Sequence, residues 1–137
     1  MLKIDSFQGE YRFLSNFWPA PVMLDGVRYP SVEHAYVAAK TADFKLRNPI
    51  PTMTPGAAKR YGRTLPLRKD WCDIKLTVME NLVRQKFQDA ALASRLKATG
   101  NAELIEGNTW NDTFWGVCKG KGKNHLGRIL MQVRGSL

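Results

Sequence analysis

Apolar residues recur at spacings of three and four over two stretches of the chain. In the first stretch these positions are Trp71, Ile74, Val78, Leu82 and Phe87. In the second they are Leu126, Ile129, Leu130 and Val133. This spacing is typical of amphipathic helices. The pattern predicts a long helix that starts after Asp70, a candidate cap, and a last helix over about 124–133.

Shorter helices are predicted from their end signals. Ser31 follows Pro30 and can accept from free backbone N–H groups, so it should cap a helix over about 32–41. One or two helical turns suit residues 56–61, and a further helix over 90–98 should end at Gly100. Residues 43–55 contain three prolines and are expected to form a loop.

Strand signals are few and short. Val22 to Tyr29 alternates around Asp25-Gly26, which is typical of a hairpin. The aromatic-rich segment 4–19 is expected to hold short extended pieces, and 102–106 a short strand. We therefore predict an α+β fold: a compact, helix-rich single domain over residues 1–137 with a few short antiparallel strands.

Composition limits the class of protein. The chain has 137 residues, 44% of them hydrophobic and 24% charged, as in a soluble globular protein. We expect no membrane association, no signal peptide and, from two distant cysteines, a cytoplasmic location without a disulfide. The net charge of +9 favours anionic partners such as nucleic acid, nucleotides or phosphorylated metabolites.

The predicted helix after Ser31 carries an acid and an amine. Helical steps place Glu33, Val37 and Lys40 on one face, with the backbones of Glu33 and Lys40 about 10 Å apart along the axis. That spacing suits the two ends of one substrate, although an ordinary solvated face is the alternative. His34 points away from this face and is interpreted as a packing histidine.

The segment 107–116, GNTWNDTFWG, has an unusual density of amide, carboxylate and indole groups. Asn and Asp favour turns, and Trp offers a flat surface on which a base could stack. The candidate binding residues here are Asn108, Trp110, Asn111, Trp115 and Gly116, beside Asp112. The alternative is a structural turn with core tryptophans.

The segment 119–128 combines lysines, glycines and the start of a helix, which together could hold a phosphate. Lys123 and Asn124 are its candidate contacts, and a flexible basic surface loop is the alternative. Arg12 and Asn16, in a strand-like aromatic run, are further candidates. We predict no metal site, because histidine is scarce and the cysteines lack a paired spacing.

The motifs together resemble a known family. The strings FLSNF (13–17), YPSVEHAYVAAK (29–40), GAAKRYGR (56–63), LRKDW (67–71), LVRQKF (82–87), GNTWNDTFWG (107–116) and GKGKNHLGRILMQVR (120–134) occur in this order. Their ordered combination resembles the NADAR family of YbiA-like N-glycosidases over nearly the whole chain.

The resemblance implies hydrolysis of the N-glycosidic bond between a ribose and a base. Some members remove ADP-ribose from guanine in nucleic acid, and others act on phosphorylated ribosylamino-pyrimidine intermediates of riboflavin synthesis. The family's functional positions fall here on Glu33, Trp71 and Asp112. Its lysine, implicated in a Schiff base with the released ribose, falls on Lys40.

These expectations define a hypothesis for the reaction. Lys40 is the amine and Glu33 its proton partner, while Asp112 holds ribose hydroxyls or assists acid catalysis. Trp71, Trp110 and Trp115 supply stacking, and Arg12 with the 119–124 loop contacts a pyrophosphate. We expect an ADP-ribosylated nucleic acid or an ADP-ribose-like molecule as partner, no cofactor and a monomer; a non-catalytic module that binds ADP-ribose or NAD is a further alternative.

Overall fold

The computed structural model describes residues 2–137. Its helices and strands, in chain order, are β1 (Lys3–Ile4), a first 3₁₀ helix (Gly9–Leu14), β2 (Val22–Leu24), β3 (Val27–Tyr29), α1 (Val32–Ala39), α2 (Phe44–Arg47), a second 3₁₀ helix (Ile50–Thr52), α3 (Pro55–Gly62), α4 (Trp71–Lys86), α5 (Ala90–Lys97), β4 (Glu103–Leu104) and α6 (His125–Gly135). The α+β class is therefore confirmed. Contacts group the chain into two units, residues 16–86 and residues 2–15 with 87–137. The extent of one domain over 1–137 stays a prediction.

Helix α1 is the centre of the unit formed by residues 16–86. It packs against α3, α4 and the β2–β3 hairpin. Its sequence allows this burial, because Val32, Ala35, Val37, Ala38 and Ala39 are all nearly inaccessible to solvent and alanines let neighbouring helices approach closely. Only the ends of α1, at Glu33 and Lys40, keep partial exposure.

The start of α1 is held by the predicted cap. The Ser31 hydroxyl accepts from the His34 backbone N–H and lies 2.6 Å from His34 Nδ1. The other ring nitrogen, Nε2, donates to the Met53 carbonyl at 2.7 Å, so Nδ1 is the acceptor in the neutral ring. His34 is thus a buried packing histidine, as its position on the helix indicated.

The hairpin also forms as predicted. Strands β2 and β3 are antiparallel, with Leu24 opposite Val27. Asp25 and Gly26 both have positive φ, 50° and 79°, which is the requirement of a two-residue type I′ turn.

The second unit contains the predicted helices α5 and α6 and one pair of strands. Strand β1 pairs with β4 in parallel, Lys3 opposite Glu103 and Ile4 opposite Leu104. The expectation of only antiparallel strands was therefore wrong for this pair, because the partners lie about a hundred residues apart and no hairpin joins them. Gly100, with φ of +61°, follows α5 as expected.

Two further predictions were wrong. Residues 9–14 form a 3₁₀ helix rather than extended chain, because Gly9 adopts a φ of +57° and the Tyr11 N–H then donates to the Gln8 carbonyl. The segment 43–55 is not simply a loop. The Asp43 carboxylate caps α2, and Pro49 precedes a 3₁₀ turn, where proline is tolerated.

Candidate functional site

Both ends of α1 are held by backbone bonds from other segments of the same unit. The Glu33 N–H donates to the Asn16 carbonyl at 3.1 Å. Lys40 follows α1 in a helical conformation, and its carbonyl accepts from the Arg68 N–H at 2.8 Å. The two candidate catalytic side chains therefore leave fixed points of the backbone.

The Lys40 amine lies against aromatic rings. Its Nζ is 5.6 Å from the centre of the Tyr36 ring, within range of a cation–π contact. Tyr36 packs on Trp71 with ring centroids 5.1 Å apart. Trp71 is only 5% exposed, so its ring is largely covered in this packing, and its stacking on a substrate stays a prediction.

Helix α3 closes another side of Lys40. A Cβ built on Gly62 would lie 3.4 Å from Lys40 Nζ and 3.1 Å from each γ carbon of Val37. The amine therefore lies directly over the α3 backbone. This contact was not evident in the sequence, where Gly62 was only one letter of the GAAKRYGR string.

Burial and neighbouring charges set the pKa of Lys40. The pKa is lowered, first because burial penalises the ammonium form, and further because the cations Arg63, Lys59 and Lys75 repel it. Glu33 acts in the opposite direction and raises the pKa. The amine is consequently easier to deprotonate than an ordinary lysine, and the acid at the other end of α1 acts on it electrostatically. The alternative of a fully solvated face does not describe these two side chains.

The Asp112 loop, residues 107–116, is built by hydrogen bonds among its own polar groups. Asp112 Oδ1 accepts from the Phe114 and Trp115 N–H groups at 3.1 and 2.9 Å. The Asn108 side chain accepts from the Asp112 N–H and donates to the Asp112 carbonyl and to Glu106. Asn108 is therefore occupied in shaping the loop, and one Asp112 oxygen is also used there. The catalytic role of Asp112 stays a prediction.

The other candidates of the Asp112 loop differ in accessibility. Trp110 is 48% exposed, whereas Trp115 is half-buried against Phe114, with ring centroids 4.8 Å apart. Asn111 is exposed in a left-handed conformation. A Cβ on Gly116 would collide with Glu106, so glycine there is explained by close backbone packing. Among these, Trp110 is the side chain best exposed for stacking.

The basic loop, residues 119–124, begins with a tight turn, and its contact with a phosphate stays a prediction. Cys118 and Lys121 exchange backbone hydrogen bonds, and Lys123 is exposed. Asn124 is buried, and its side chain binds the Glu106 N–H and the Leu104 carbonyl. Both polar atoms of the Asn124 side chain are therefore used within the fold, and its contact with a substrate stays a prediction.

Two further candidates, Arg12 and Asn16, lie near the start of the chain. Arg12 is exposed on the first 3₁₀ helix. Asn16 is half-buried, its amide lying 3.5 Å from the Met79 sulfur, and its backbone carbonyl accepts from the Glu33 N–H.

Sequence reasoning missed Tyr36 and Gly62, as well as the cations that act on Lys40. The helical spacing of Lys59, Gly62 and Arg63 was the available signal.

Comparison with known proteins identifies the family. A sequence model of the NADAR domain matches residues 5–137. The chain belongs to the NADAR family. This NADAR chain is 42% identical over 137 positions to N-glycosidase YbiA of Escherichia coli (strain K12), an alignment that covers 96% of the chain and 85% of that protein. It is 38% identical to an N-glycosidase of Nostoc punctiforme, with 90% and 84% covered.

Two further likenesses bear on fold and function. The NMR structure of E. coli YbiA matches this NADAR chain with a TM-score of 0.84 at 39% identity, over 99% of the chain and 86% of that structure. A riboflavin biosynthesis protein of Vibrio vulnificus is 43% identical over 91% of the chain, which spans only 35% of that larger protein. The prediction of a hydrolase of N-glycosyl bonds is thus confirmed at the level of the family.

Other findings concern the described residues as a whole. Within residues 2–137, no helix is both long and apolar enough to cross a membrane. The same residues contain no group of three or more His, Cys, Asp or Glu side chains that could hold a metal ion. Cys72 and Cys118 are both free thiols, the first exposed and the second buried.

Proposed function

We propose that this protein hydrolyses the N-glycosidic bond of ribosylated bases, with Lys40 as nucleophile and Glu33 as its proton partner. The observation that carries the proposal is the half-buried Lys40 amine, whose pKa is lowered by burial and by neighbouring cations while Glu33 acts on it from the other end of α1. A pure binding module has no need of a lysine with a lowered pKa, so this arrangement favours an enzyme.

The proposed reaction divides into proton and bond steps. Lys40 Nζ attacks the anomeric carbon of the ribose, the bond to the base breaks, and the base leaves with a proton. The sugar ring opens to an imine on Nζ, the ring oxygen takes up a proton, and water then releases the sugar and regenerates the amine. Glu33 exchanges the protons that the amine loses and regains.

The preferred substrate is ADP-ribosyl-guanine in DNA or RNA. The net charge of +9 suits a polyanionic partner, and a base in a duplex would have to be extruded or single-stranded to be reached. The second candidate is a phosphorylated ribosylamino-pyrimidine, which the names of the V. vulnificus and Zea mays riboflavin biosynthesis relatives favour.

The test measures, in the same reactions, release of the base and trapping of the sugar on Lys40. The wild type, Lys40→Gln, Glu33→Gln and the control Lys45→Gln, an exposed lysine on α2, are incubated with each substrate, with and without sodium borohydride. Borohydride should fix the sugar on the Lys40 peptide of the wild type and of the control. Glu33→Gln should lower turnover by about 10²–10⁴-fold with unchanged thermal unfolding.

Two results would contradict the proposal. Turnover or a borohydride adduct that persists in Lys40→Gln would exclude this lysine as the nucleophile. Tight binding of ADP-ribose by calorimetry, without release from either substrate, would favour the non-catalytic module.

A further inference from the structure

Gly62 has no explanation in the conformation of its own backbone. It is the last residue of α3, it is buried, and its φ is not in the left-handed region that favours glycine. Inside a helix glycine costs about 1 kcal/mol relative to alanine. The reason for glycine must therefore lie in what surrounds it.

The surroundings are the catalytic face of α1. The nearest atoms to a Cβ at this position would be the two γ carbons of Val37 at 3.1 Å, followed by Lys40 Nζ at 3.4 Å. The first two contacts are tighter than side chains normally make, and the third is made by the mobile end of a lysine. A methyl group here would therefore crowd Val37 and force α3 away from α1, whereas its contact with Nζ would be of ordinary length.

We propose that Gly62 is a positioning residue for Lys40: its missing side chain lets α3 approach Val37 closely enough for the α3 backbone to cover the amine, half removed from water. The inference rests on the proposed function of Lys40. It adds a residue on α3, more than twenty positions after Lys40 in the sequence, to those that determine where the Lys40 amine lies.

The charges around the amine decide the direction of the expected effect. Glu33 on α1 favours the ammonium form, while Lys59 on α3, Arg63 directly after α3 and Lys75 on α4 oppose it. Burial is nevertheless the first cause of the lowered pKa. If a methyl group at position 62 moves α3 away from the amine, the amine regains water and its pKa should rise toward the ordinary lysine value.

The experiment compares two glycines of the same helix. Gly62→Ala introduces the methyl group beside Lys40, whereas Gly56→Ala meets only Arg60 Nη1 at 3.7 Å, an ordinary contact. The readout is the pH dependence of Lys40 acetylation by acetic anhydride, followed on its peptide by mass spectrometry. The midpoint should move to higher pH in Gly62→Ala and stay unchanged in Gly56→Ala. The amount of Lys40 adduct trapped by borohydride at neutral pH should also fall, about tenfold for each pH unit by which the midpoint rises.

A double variant tests whether crowding at Val37 is the cause. Val37→Ala removes both γ carbons that a methyl at position 62 would crowd, so adding Gly62→Ala to Val37→Ala should leave the Lys40 midpoint unchanged. A midpoint that rises when Gly62→Ala is added to Val37→Ala, or that never moves in Gly62→Ala alone, would overturn the inference. Because acetylation needs no turnover, these outcomes remain readable even if Lys40 proves not to be the nucleophile.

Discussion

At the scale of single residues, Lys40 shows how an ordinary lysine becomes a candidate nucleophile. Burial and the cations Arg63, Lys59 and Lys75 lower its pKa, while Glu33 raises it. The amine must be neutral to attack, yet it must also receive a proton back when the sugar leaves. A lowered pKa, together with a carboxylate on the same helix that acts on the amine electrostatically, suits both requirements.

Arg63 offers a direct test of this balance. It is exposed and lowers the pKa of Lys40, so Arg63→Gln should raise that pKa and shift the pH profile of borohydride trapping upward. The shift should be smaller at high salt, which screens an exposed charge. Arg60→Gln, an exposed neighbour on α3 that is not among the groups acting on Lys40, is the matched control. An unchanged midpoint in Arg63→Gln would contradict the contribution of Arg63 to the lowered pKa of Lys40.

At the scale of elements, the start of α1 is held by more hydrogen bonds than a single helix cap provides. Ser31 serves twice, since its hydroxyl accepts from the His34 backbone and is bonded to the His34 ring. Glu33 lies within this first turn, where its N–H is held by Asn16. The candidate acid therefore owes its placement to the cap.

Ser31→Ala should accordingly destabilise the protein more than the loss of an ordinary cap. Thr54 caps α3 through a single bond to the Ala57 N–H at an exposed position, so Thr54→Ala should cost about 1 kcal/mol. Ser31→Ala should cost about 1–3 kcal/mol more, because it also leaves His34 Nδ1 buried without its partner. Urea unfolding of both variants measures the difference, and equal losses would refute the double role of Ser31.

The Asp112 loop differs from the helices and the hairpin, because hydrogen bonds from side chains to the backbone hold its shape. Asn108 and Asp112 replace the ladder bonds that a strand would provide. Asn108 thus helps to hold the turn, its contact with a substrate stays a prediction, and the same loop carries an exposed Trp110. One loop can thus be rigid in its polar framework and still present an aromatic surface.

At the scale of the whole molecule, one buried charge bears on stability. Lys86, in the last turn of α4, is 2% exposed, and burial lowers its pKa to about 7. In the unfolded chain it would titrate near the ordinary value of 10.5. Between these two pKa values the unfolded state binds a proton that the native state does not.

The free energy of unfolding should therefore rise with pH from about 7 toward 10, with this contribution absent below the folded pKa. Lys86→Met should remove that rise, so the stability difference between wild type and variant should change by a few kcal/mol over the range. Lys97→Met, at an exposed lysine in the last turn of α5, should run parallel to the wild type. Urea unfolding from pH 6.5 to 9.5 measures the slopes, and equal slopes for wild type and Lys86→Met would contradict the prediction.

Local signals account for what was correctly predicted in the fold. Asp25-Gly26 specifies its turn through two positive φ angles, and Ser31 specifies the start of α1. The parallel pairing of β1 with β4 could not be foreseen, because its hydrogen bonds join backbone segments about a hundred residues apart. The 3₁₀ helix at residues 9–14 was missed because aromatic spacing there fits several conformations.

By itself, the sequence determined the helices, the hairpin, the NADAR motifs and the presence of Glu33 and Lys40 on one helix. These are properties of neighbouring residues and of helical periodicity, which depend little on distant chain. Only the tertiary structure decided that the Lys40 amine lies between Tyr36 and Gly62, within the field of three cations from α3 and α4. A side chain's pKa depends on water and charge within a few ångströms, and those neighbours come from separate segments of the chain.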